Sequence, residues 1–120
     1  MRYIGVDLHS NNFMVCVLSD NEEPTFRQYK FAELLEFKDL LQTEDRIAVE
    51  ATSTTRFFYS QVAPLVAGCV VVNPSQFKII KKSFKKTDKN DALNLARFLS
   101  NGQLPTSRMK NELQEFGNDA

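Results

Sequence analysis

The sequence predicts an α/β fold: a mixed sheet of three antiparallel strands followed by parallel ones, flanked by helices. Two patterns predict it. Through residue 31, short β-branched runs are separated by polar turns, and from Ala32 onward segments of helical period alternate with apolar strands. A third observation fixes the scale, since 120 residues suit one compact core. Hydrophobic residues make up 42% of the chain, which excludes a disordered protein.

Residues 2 to 8 (RYIGVDL) and 13 to 18 (FMVCVL) are apolar runs separated by His9, Ser10, Asn11 and Asn12, and read as a β-hairpin. A polar turn from Ser19 to Glu23 leads to PTFRQYKF, which alternates as an outer strand would. From Ala32 the spacing of Leu34, Leu35, Phe37, Lys38 and Leu41 predicts a helix with one apolar stripe. RIAVEA (46–51) follows as a short strand. A helix through Phe57, Phe58, Val62 and Leu65 comes next, then the strand CVVVN (69–73), an order that implies a right-handed parallel crossover. After Pro74 come a basic helix, SQFKIIKKSF, and a last helix from Asp88 to about Ser100, ended by Gly102 and Pro105. The order β-β-β-α-β-α-β-α is that of ribonuclease H-like folds, though order alone says little about function.

The net charge is zero, so nucleic acid would have to be held by a local cluster of bases. Cys16 and Cys69 each sit in an apolar run, as small buried thiols do, which suits a reducing cytoplasm. Asp7 interrupts the amino-terminal apolar run before a signal peptide's core could form, and no run approaches the roughly 20 residues that span a bilayer. A soluble, cytoplasmic protein without a membrane partner is expected.

Four acids stand where chemistry would need them. Asp7 ends the apolar part of the first strand, on the same side of the pleat as Tyr3 and Gly5, and an ionised carboxylate there is costly unless paired or metal-bound. Glu50 ends the strand IAV, where open α/β sheets carry functional groups. Asp88 and Asp91 are three apart, on a helical face that continues through Ala92, Leu95 and Leu99. Each has a plain structural reading: a strand-end turn residue for Asp7, a solvated strand end for Glu50, and for Asp88 and Asp91 a helix cap and its neighbour. Together, four gathered carboxylates would repel one another unless cations neutralised them. Mg²⁺ prefers such oxygen ligands, and a pair of ions can clamp the attacking and leaving oxygens of a phosphoryl transfer. Mn²⁺ can substitute. His9, the only histidine, offers little support for a zinc site or a Ser-His-Asp triad; it is expected beside Asp7, in reach of substrate or metal-bound water.

IGVDLHSN (4–11), VEAT (49–52), VVNPSQFK (71–78) and above all KTDKNDALNLARFLSNGQLP (86–105) resemble the DEDD transposases of the IS110 family, whose relatives include the pilin-gene inverting recombinases. The resemblance implies a RuvC-like domain similar to Holliday-junction resolvases over residues 1–105, with Asp7, Glu50, Asp88 and Asp91 as catalytic metal ligands. It further implies action on DNA guided by a structured noncoding RNA, and a homo-oligomeric full-length protein. Residues 106–120 are expected to be a polar tail leading toward helical and serine-bearing regions, without which catalysis by this chain would be incomplete. Ser53 stands where the family often has glycine.

Lys78, Lys81, Lys82, Lys85 and Lys89 follow helical spacing and with Lys86 are the candidate nucleic-acid contacts; lysines of this kind position phosphates without reading sequence. A solvated face explains any one of them equally well. Thr52 to Thr55 precede a helix and are expected to cap it, or else to offer donors to a phosphate. Of Phe57, Phe58 and Tyr59, at least two are expected in the core. Two other classes of function are compatible with the chain: a non-enzymatic nucleic-acid-binding or assembly module, and an actin-like ATPase fragment, which lacks its glycine-rich phosphate loops here.

Overall fold

The computed structural model describes residues 1–75, 77 and 87–102. Its strands are β1 (Arg2–Leu8), β2 (Asn12–Ser19), β3 (Thr25–Lys30), β4 (Arg46–Glu50) and β5 (Gly68–Val72). Its helices are α1 (Leu34–Leu40), α2 (Thr55–Val62) and α3 (Asp88–Asn101). The strands form one sheet in the order β3-β2-β1-β4-β5. β1 pairs antiparallel with β2, and β2 with β3, while β4 runs parallel to both β1 and β5. This is the mixed, helix-flanked sheet of a ribonuclease H-like fold.

The alternation of each strand divides the core in two. Ile4, Val6, Phe13, Val15, Ile47, Val49, Cys69 and Val71 face one side, where they pack with Leu34 and Phe37 of α1 and with Phe58 and Val62 of α2. Phe13 is the hub of this layer, with ring centroids 5.3 to 5.4 Å from Tyr29, Phe31, Phe37 and Phe58. On the opposite side Met14, Cys16, Ala48 and Val72 meet Ala92, Leu95 and Ala96 of α3 and the buried Phe77. The two cysteines lie on opposite faces of the sheet and do not form a disulfide.

The seat of α3 is set by the absence of one side chain. A Cβ on Gly5 would lie 1.9 Å from the Ala92 carbonyl oxygen and 2.7 Å from the Ala96 nitrogen, so backbone rests on backbone there. The small residues Ala92 and Ala96, one helical turn apart, complete the contact. Thr87 caps the helix by accepting from the Asn90 amide at 3.1 Å, and Gly102 ends it in the left-handed conformation, φ 69°.

Several local expectations are revised. Residues Phe31–Glu33 form a 3-10 turn, and α1 begins only at Leu34. Leu35 is 71% exposed and does not belong to the apolar stripe, because Leu34 and Phe37 already occupy the side turned to the sheet. The helix through Phe57 stops at Val62, and Pro64 takes the chain into a second 3-10 turn, Ala63–Leu65. Phe58 is fully buried, Tyr59 packs on the core and Phe57 stays exposed.

Candidate metal centre

Both strand-borne acids stand at one edge of the sheet. β1 and β4 run parallel with Val6 opposite Val49, so Asp7 and Glu50, the residues that follow, end adjacent strands side by side. Parity puts Asp7 on the same face as Gly5, and Glu50 on that of Ala48, which is the face covered by α3. The first turn of α3 brings Asp88 and Asp91 near enough to Asp7 for their charges to act on it, with Asp88 3.3 Å from His9.

Asp7 is 8% exposed, and burial pushes its carboxyl up to about 6. The nearby His9 opposes that shift, while the charges of Asp91 and Asp88 add to it. His9 Nε2 lies 3.0 Å from Asp7 Oδ2 and 3.3 Å from Asp88 Oδ1. One ligand atom each from Asp7, His9 and Asp88 falls within 4.8 Å of the others. Two hard carboxylates and an imidazole at this spacing suit a divalent cation.

The two helix acids are less alike than their shared face suggests. The Asp88 side chain is 48% exposed, at the rim of the site, and Asp91 is half-buried. Asp88 is not the cap of α3; Thr87 takes that role and leaves the Asp88 carboxylate free to turn toward His9. Both acids sit in the first helical turn, where the positive end of the helix favours negative charge.

The loop after Glu50 is held by Thr55. Buried at 2% exposure, it donates its hydroxyl hydrogen to the Glu50 carbonyl oxygen at 2.9 Å and accepts from the Thr52 amide at 2.7 Å. The four-residue Thr/Ser run therefore fastens Glu50 rather than capping α2, whose N-cap Thr54 makes no side-chain capping bond. Lys78, Lys81, Lys82, Lys85 and Lys86 lie outside the described residues. Lys89 is exposed on α3, its Nζ 5.7 Å from the centre of the Phe26 ring.

With this geometry, the comparison with known proteins is decisive: a family model of IS110-type DEDD enzymes, described as a transposase, matches residues 4–116. The chain belongs to the IS110 family of DEDD transposases. No curated protein matches it significantly. Membership implies DNA as the substrate and a divalent metal in the chemistry, in keeping with the acidic group that Asp7 and Asp88 form around His9. It also favours a transposase domain over the actin-like ATPase alternative. Among the described residues, no helix of the transposase domain is long and apolar enough to cross a membrane.

Sequence reasoning expected His9 beside Asp7, where the structure places it, but did not foresee its approach to Asp88. The available signal was its spacing: His9 stands two residues after Asp7, at the point where the strand ends.

Proposed function

We propose that this domain holds divalent cations, Mg²⁺ with Mn²⁺ as a substitute, for the cleavage and joining of DNA phosphodiesters in transposition. The observation that carries this reading is the meeting of Asp7 from the sheet and Asp88 from α3 at one edge, with their ligand atoms within 4.8 Å. Asp7 and Asp88 are the central ligands. Glu50, at the end of the adjacent strand, and Asp91, one turn along α3, complete the four-carboxylate set that would hold two ions. When bound, the cations supply charge neutralisation and Lewis acidity at phosphoryl oxygens. The protein's own part is to fix the carboxylates on rigid elements, to hold the Glu50 loop through Thr55, and to draw in phosphates with Lys78, Lys81, Lys82, Lys85, Lys86 and Lys89.

In the same reading residues 1–105 are the catalytic unit and 106–120 lead toward helical and serine-bearing regions. A noncoding guide RNA and further copies of the chain are the partners that complete the reaction. The melting temperature followed during titration with Mg²⁺ or Mn²⁺ tests the metal site. Cation at 100 times its dissociation constant stabilises by about 2.7 kcal/mol. A shift of that order that disappears in the Asp7→Ala, Asp88→Ala double variant is the expected result, and a shift that persists in that variant would overturn the assignment.

A further inference from the structure

We infer that His9 is itself a metal ligand of this site, through Nε2, so that the centre is a mixed nitrogen and oxygen site instead of an all-carboxylate one. The inference rests on the metal reading above and deepens it.

The argument begins with the direction of one ring nitrogen. Nε2 of His9 faces two carboxylates at once, Asp7 Oδ2 at 3.0 Å and Asp88 Oδ1 at 3.3 Å. A protonated Nε2 can share its hydrogen between the two oxygens, and an unprotonated one offers its lone pair to a cation that both carboxylates also hold. The second arrangement fits the spacing of the three groups. For ligands at roughly 2.1 Å from a six-coordinate ion, neighbouring ligand atoms are about 3.0 Å apart, the edge of the octahedron. The two His9 separations match such edges, and the ligand atoms of all three residues lie within 4.8 Å of one another, so Asp7, His9 and Asp88 can close on one ion. The turn is held in place by the His9 amide, which donates to the Asn12 carbonyl oxygen at 2.8 Å, and the ring is 40% exposed, open to a cation arriving from solvent.

A nitrogen ligand changes which ions the site prefers. Mg²⁺ favours oxygen, whereas imidazole suits transition metals, so His9 tilts the site toward Mn²⁺ over Mg²⁺.

Because His9 is the only histidine in the chain, pulsed electron paramagnetic resonance on the Mn²⁺-loaded 120-residue protein reads its coordination without ambiguity. Binding is first measured from the loss of the free Mn²⁺ signal. Expected are ¹⁴N modulations of a directly coordinated imidazole in the unaltered protein, their absence in His9→Gln, and a Mn²⁺ affinity roughly tenfold weaker in that variant. His9→Asn serves as a second variant should His9→Gln fail to fold. Bound Mn²⁺ without directly coordinated ¹⁴N would overturn the inference and leave the carboxylate site standing. If no Mn²⁺ binds, the metal reading falls and this inference with it.

Discussion

Asp7 is expensive in the metal-free protein, and the sign of its cost can be worked out. Burial moves its carboxyl from 3.8 up to about 6, so the folded chain holds this proton more tightly than the unfolded chain does. Its contribution to stability is therefore greatest below about pH 4 and is lost as pH rises through 6. At roughly 1.4 kcal/mol per pH unit, the cost at neutral pH is on the order of 2 to 3 kcal/mol. Asp7→Asn is accordingly expected to raise the melting temperature of the metal-free protein at pH 8 while abolishing the shift caused by added cation, both read from the same melting curves. Cys16 shows burial outweighing an opposite charge, that of Arg97. Its thiol is pushed up to about 11 beneath α3, and it should resist thiol reagents at pH 8 until the protein unfolds.

At the scale of elements, the site depends on how α3 begins and where it rests. Thr87→Ala removes the capping acceptor for Asn90 and should cost about 1 kcal/mol, with a loosened first turn that weakens cation binding as well. Gly5→Ala drives a methyl group into the backbone of α3 and should cost about 2 kcal/mol or more, measured by denaturant unfolding. Strand periodicity made the placement of Asp7 legible from sequence, since the face shared by Gly5 and Asp7 follows from alternation alone. The role of Thr87 was not legible: Asp88 is an equally good capping residue by type, and only the backbone decides which of the two lies outside the helix. Leu35 was misplaced for a related reason. A short helix with four leucines in and beside it, Leu34, Leu35, Leu40 and Leu41, fits more than one stripe, and the neighbouring layer selects Leu34 and Phe37.

Across the whole molecule, the sheet separates stability from chemistry. The aromatic layer around Phe13 lies on one face, and the acids lie at the edge of the other. Phe13→Ala is expected to cost about 3 to 5 kcal/mol, yet the folded fraction should still gain melting temperature when cation is added. Loss of that gain in a folded Phe13→Ala protein would show that the two faces are coupled. This division was only partly visible in the sequence. The order of elements along the chain and the mixed character of the sheet followed from the pattern of runs and turns, but the meeting of His9 with Asp88 joins residues far apart in the chain and needed the packing of α3 to reveal it.

The contact at Gly5 has a mechanical side. Asp88 lies four residues from Ala92, about 6 Å along the helix axis, so a tilt of about 10° about that contact would carry the carboxylate roughly 1 Å. A misplacement of that size can cost about a hundredfold in rate. The missing methyl group thus acts as a fulcrum, and the aim of the acids on α3 is set by how closely the helix can settle on it.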